Sequence, residues 1–353
     1  MSNAFPSANF TEMLGITPIA LVPDQQIWDE LLTPQVKAFL GEVQGEPSVR
    51  VQETVSGEFP GDEVTNLNGH LLYGKPGYVR FPYIQTVYRT KYGCVIIKRD
   101  GLKFKVTAWV GKRGKQELIF RASLRDRRYD GTKRADDSSL LDFTYADAIN
   151  APLQKDGKSI DAKSVELSIY AFMPGSKIAS ACGDNAFEEF VRNPYTFLDR
   201  PKLFIKFFRK AWKTERSPGQ VANPIPDVSG ITPAVFEKFA IDAGYDFIEN
   251  SSSHYHIAMW GVSLGYRYTN PENAKTLAAF TAGIKQLKAS GIELTRPQES
   301  WVCVLQSLPK EHLPKDLKVL DLAGPVWPQD NIGPANLWMN KPLSERGKQL
   351  LPE

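Results

Sequence analysis

At 353 residues, with 42% hydrophobic and 24% charged side chains, the chain is long enough to bury a sizeable core and too apolar to be disordered throughout. Its net charge is +3, and no run approaches the roughly 20 apolar residues that a membrane-crossing helix needs, so no membrane partner is expected. The opening Met1-Ser2-Asn3-Ala4-Phe5-Pro6 lacks the charged and apolar regions of a secretory signal, and Cys94, Cys182 and Cys303 show no CxxC spacing. The expectation is a cytoplasmic protein with reduced, buried thiols.

Twenty-five prolines and 26 glycines punctuate many short segments. This favours an α+β chain: an antiparallel β-sheet or a partly open barrel, oligonucleotide-binding-like in architecture, with a more helical C-terminal part and an extended proline-rich tail. Four parts are expected: a helical and loop lead-in over 1–60, an antiparallel β domain over 61–182, a mixed α/β part over 183–306 and a C-terminal arm over 307–353.

In the lead-in, Gln25 to Glu42 carries a helical stripe interrupted near Thr33-Pro34, which predicts two short helices. Val49 to Val55 alternates like a strand, and Gly57 to Gly77 is a loop region around a short Leu71-Leu72-Tyr73 strand. Tyr78 to Tyr88 is expected to be the first strand of the main sheet. Three more follow: Gly93 to Arg99, Leu102 to Val110 after Asp100-Gly101, and Gln116 to Leu124 after a Gly-bracketed basic loop. An Asp-Gly pair between alternating runs points to a type I′ hairpin. Period-two alternation sets Phe104, Val106, Ala108 and Val110 on one face of the middle strand and Lys103, Lys105, Thr107 and Trp109 on the other.

Beyond this meander, Arg125 to Arg134 is polar enough to be a loop, Leu140 to Ala148 is a short helix or strand, and Pro152 to Lys163 is a connection. Ser164 to Met173 is a strand. Asn185 to Arg192 and Lys202 to Trp212 are expected helices, the second opened by Pro201 and basic on its polar side. Ser217 to Thr232 is the best linker, and Thr232 is placed to cap a helix from Pro233 to Ala243. His254 to Tyr268 suggests a strand or strand pair broken at Gly261 and Gly265, Pro271 to a stop at Gly291 a helix, and Trp301 to Leu305 a strand buried on both faces.

Charge is the strongest functional signal. From Gln85 to Ala135 there are fifteen Lys or Arg against four acids, a local excess of +11. The bland reading is a solvated face. The excess is nevertheless concentrated and interleaved with Tyr88, Tyr92, Trp109 and Tyr129, a combination suited to releasing phosphate counterions and stacking unpaired bases. The expected nucleic-acid footprint is Arg89, Lys91, Lys98, Lys103, Lys105, Trp109, Lys112, Arg113, Lys115, Arg121, Arg125, Arg127, Arg128, Tyr129, Lys133 and Arg134. Arg209, Lys210 and Lys213 of the basic helix are added to it. Single-stranded DNA or RNA is favoured over duplex, because the aromatics accompany a sheet and no recognition helix is evident.

The sequence has no GxGxxG, GxxxxGK[ST] or HExxH. The expectation is therefore a non-enzymatic binding protein without a cofactor. His254-Tyr255-His256 has a spacing that metal sites use, but no Cys or acidic cluster accompanies it, so no metal is expected. Two alternatives stand beside this reading. One is a structural or assembly subunit of a virion, filament or ribonucleoprotein, forming homo-oligomers through its arms; the other is an enzyme with an unrecognised site.

Overall fold

A computed structural model describes residues 17–52, 83–99, 103–112, 114–126, 154–155, 158–159, 162–176, 186–214, 216–220, 223–268, 271–327 and 338–351. The expectations for Leu71-Leu72-Tyr73, for residues 127–134 of the Arg125 to Arg134 loop and for Leu140 to Ala148 fall outside these residues; Arg125 and Asp126 are the end of a strand and not loop.

The described residues begin with a 3-10 turn, Pro18–Leu21, and continue with a helical turn Asp24–Gln26 that runs on into Ile27–Leu31, followed by α1 (Pro34–Leu40). Pro34 sits at the first position of α1, where its missing N–H costs nothing, and Thr33 accepts from Val36 N. The Asp227 carboxylate adds bonds from Thr33 Oγ1 and Gln35 N at the same helix end. Five strands follow, β1 (Ser48–Gln52), β2 (Tyr83–Arg89), β3 (Gly93–Arg99), β4 (Lys103–Val110) and β5 (Glu117–Asp126), then a small pair, β6 (Gln154–Lys155) and β7 (Lys158–Ser159), and then β8 (Ser164–Ala171). Next come α2 (Ala186–Arg192), α3 (Pro201–Trp212), α4 (Val228–Asp242), β9 (Phe247–Ser251), α5 (Tyr255–Ser263) and β10 (Arg267–Tyr268). The chain closes with α6 (Pro271–Ala289), α7 (Arg296–Leu305), β11 (Trp338–Pro342) and α8 (Glu345–Leu350).

The main sheet is open, not closed into a barrel, and has nine strands in the order β1-β2-β3-β4-β5-β8-β9-β11-β10. It is mostly antiparallel; β8 and β9 pair in parallel. The fold is thus the expected α+β class. Among the described residues no helix is long and apolar enough to cross a membrane.

Two compact units partition the chain. The first comprises Met1–Gly175, Pro224–Glu249 and Lys341–Glu353, and the second Ser176–Asn223 and Asn250–Asn340. In the first unit the registers build rungs Ile97–Val106–Ala122 and Val95–Ala108–Phe120, all fully buried. Phe104 on the same face meets Phe236 and Phe239 of α4 at ring separations of 6.3 and 6.2 Å. Each such side chain contributes roughly 1.5–3 kcal/mol of burial, so one face of the meander is the core face. The second unit is organised around Phe190, stacked on Trp301 at 5.4 Å and surrounded by Phe197, Phe204 and Phe207.

Several elements differ from expectation. Arg99 pairs with Phe104, so four residues separate them where a two-residue Asp-Gly turn would leave two. Register here follows the buried rungs and not the turn. His254 to Tyr268 is helix α5 followed by β10; its buried residues Tyr255, Ala258 and Gly261 recur every third position, as a helix face does. Trp301 to Leu305 belongs to helix α7. Thr295 and Gln298 form a capping box there, and the apolar run reflects a helix end buried all round. Helix α4 begins at Val228 and contains Pro233. Burial of Val228 and Thr232 with Phe236 holds the extra turn despite the bond that a proline cannot donate.

Candidate nucleic-acid interface

The registers set Lys98 opposite Lys105, Thr107 opposite Arg121 and Lys103 opposite Arg125, so the basic residues of the meander do share a face. That face is not an open platform. Trp109 is only 3% exposed and packs with Val87, Cys94, Ile96 and Leu118. Burial excludes it as a stacking residue: the indole fills the second hydrophobic cluster of the sheet. The cations around it are half-buried and engaged. Arg125 forms an ion pair with Glu166 at 2.9 Å, the Arg121 guanidinium lies 5.4 Å from the Tyr170 ring centre, and Lys98, Lys103 and Lys105 each have contacts of their own.

Among the described cations of the meander, the exposed ones lie at one end of the sheet, where the β2–β3 and β4–β5 turns meet. An open cleft of about 850 Å³ is formed there, with Arg50, Arg89, Lys91 and Lys112 in its lining beside Tyr92 and Phe39. Arg89, Lys91 and Lys112 are exposed, and Lys115 is exposed on the β4–β5 turn. The described lining contains no carboxylate. Cations gathered in a concave site raise the local concentration of anions.

The local sequence explains why these turns are stiff. Tyr92 N donates to Leu40 O at 2.9 Å, Lys91 N to Glu42 O at 2.9 Å and Gln44 N to Arg89 O at 2.8 Å, so the loop after α1 is laced to the β2–β3 turn. Gly111 N donates to Tyr92 O at 2.8 Å and joins the two turns. Gly93 lies against the next strand so closely that any side chain would run into the Trp109 carbonyl oxygen. Gly41, at φ 71°, passes beside the Tyr92 ring, where a Cβ would stand 2.9 Å from Cδ2.

The structure thus brings Arg89, Lys91 and Lys112 together, with Lys115 on the same turn, and sets Lys98, Lys103, Lys105, Arg121 and Arg125 apart on the half-covered face. Arg113, Arg127, Arg128, Tyr129, Lys133 and Arg134 lie outside the described residues. Arg209, Lys210 and Lys213 belong to the second unit. There Arg209 is paired with Asp316 at 2.8 Å, the Lys210 ammonium sits 4.0 Å from the Phe187 ring centre, and Lys213 is the C-cap of α3. Arg50 and Tyr92 also line the cleft and are not in the expected footprint. Tyr92 was visible as one of the interleaved aromatics, whereas nothing in the alternation of β1 marks Arg50 as facing a cleft.

The second unit holds a buried cluster at the start of α5. The rings of Tyr195, His254 and His256 stack in succession at 5.6 and 6.0 Å. Burial lowers His254 to about 4; His256 is held well below its usual value by burial, then by His254 and Arg296. Both are therefore neutral at physiological pH. Ser300 Oγ accepts from His256 N at 3.2 Å and lies 3.0 Å from its Nδ1, fixing the ring. Nearby Cys303 is buried, and burial pushes its thiol well up, so it is protonated and a poor nucleophile. Among the described residues no group of three or more His, Cys, Asp or Glu is placed to hold a metal ion.

Compared with protein-family models, curated proteins and solved structures, the chain matches none of them.

Proposed function

We propose that the protein binds nucleic acid, single strands in preference to duplex, through the cationic cleft at the β2–β3 and β4–β5 turns, and that it does so in the cytoplasm without chemistry of its own. The observation that carries the reading is the company Tyr92 keeps: a 53% exposed ring in a cleft with Arg89, Lys91 and Lys112 and no carboxylate in the described lining. Phosphates supply the charge that such a cleft selects, and an exposed ring is useful to a base only when that base is unpaired. The half-covered lysines of the sheet face add to the long-range potential without touching the ligand.

The test is a competition experiment. A labelled single-stranded oligonucleotide bound to the full chain at low salt is challenged with the unlabelled strand or with its duplex. The single strand is expected to displace the label at lower concentration, and Arg89→Ala or Lys112→Ala to weaken binding. Equal displacement by duplex contradicts the single-strand preference, and failure to bind at low salt contradicts the function.

A further inference from the structure

We infer that Tyr92 is the platform for one unpaired nucleobase, and that Lys91, which caps its ring in the free protein, moves to a phosphate of the same strand when the base stacks. The inference rests on reading the cleft as a nucleic-acid site, and goes beyond it by naming the residue that touches a base and the exchange that accompanies contact.

Three observations support it. The Tyr92 backbone is held on both sides, its N–H by Leu40 O and its carbonyl by Gly111 N, so the ring is presented from a fixed position. Gly41 runs along the Cδ2–Cε2 edge of the ring, where a larger residue would collide, and limits how far the ring can swing. The Lys91 ammonium lies 5.1 Å from the ring centre. An exposed ammonium–ring contact is weaker than base stacking, and an ammonium is better satisfied by a phosphate than by a π face. Both partners therefore gain from the exchange. Elsewhere on the sheet face, Tyr170 is 49% exposed and has the Arg121 guanidinium 5.4 Å from its ring centre, but it does not line the cleft. It is the natural control.

The experiment compares binding of a base-bearing oligonucleotide with an abasic sugar–phosphate strand of equal length. Wild type is expected to prefer the base-bearing strand by roughly 5- to 150-fold. Tyr92→Ala should reduce that ratio toward unity with an unchanged salt slope, while Tyr92→Phe and Tyr170→Ala keep it. Lys91→Ala should keep the ratio and shallow the slope of log K against log salt by about 0.7. In parallel, a strand carrying a photoreactive base is crosslinked to the unmodified protein and the adduct is mapped by mass spectrometry, so the outcome does not depend on a variant folding. An adduct on Tyr92 supports the platform. Adducts only elsewhere, or a preference unchanged in Tyr92→Ala, overturn it while leaving the charge-based reading intact; failure of both strands to bind overturns both.

Discussion

Gly93 has no side chain because the Trp109 carbonyl already occupies the place where a Cβ would go. Gly93→Ala should therefore force β3 and β4 apart. The expected loss is about 3 kcal/mol or more, seen as a large drop in thermal midpoint; an alanine variant that melts like wild type would show that the strands do not approach as described. Trp109 makes a related point. Period two told correctly which residues share its face, but alternation says nothing of whether that face is covered, and at 3% exposure the indole is core. Trp109→Ala should cost about 3–5 kcal/mol, measured by chemical denaturation. A selective loss of oligonucleotide affinity in a variant of normal stability would restore the stacking role that burial denies it. Tyr92 and Trp109 were equally visible aromatics in the sequence; what separates them is burial, set by long-range packing.

At the level of elements, α5 links structure to pH. The folded pKa of His254 is about 4 against 6.5 when unexposed to the fold, because burial disfavours the charged ring. Between those values the unfolded chain binds more protons, so stability rises with pH across the window. The contribution is fully present above about 6.5 and is lost as pH falls toward 4, and amounts to about 3 kcal/mol. His256 acts in the same direction, with Arg296 also opposing its charge. The denaturation midpoint of the second unit should fall from about pH 6.5 to about pH 4.5, and His254→Asn should flatten that fall; a midpoint equally pH-dependent in the variant would contradict the assignment. Helix α7 offers a second check. Its capping box of Thr295 and Gln298 should make Thr295→Ala cost about 1 kcal/mol. The same two helices show where reading the sequence failed. The strands of the meander, α1 with its proline start, α3 and α6 were legible from period and punctuation. In α7 the short apolar run reads as a strand because a helix end buried all round has no polar stripe to give its period away; α5, buried at every third residue, is only nine residues long and carries apolar residues such as Val262 on its exposed side as well.

On the scale of the whole molecule, the chain returns to its first unit twice, through Pro224–Glu249 and Lys341–Glu353, and such discontinuous units leave no mark in composition. One change of unit, between Asn223 and Pro224, falls inside the proline-rich Ser217 to Thr232 stretch. Charge clustering spreads the expected footprint over nineteen residues from two parts of the chain. The candidate site is narrower, since among the described cations of the meander the exposed ones lie where the two turns meet. The most direct measurement of that claim is oligonucleotide affinity titrated over salt for wild type and for an Arg89→Ala, Lys91→Ala, Lys112→Ala triple variant. A steep negative slope of log K against log salt is predicted, made shallower by about 2 in the variant, at about 0.7 for each lost phosphate contact to a single strand. A slope that is the same in both proteins, or no binding by wild type at low salt, would contradict it.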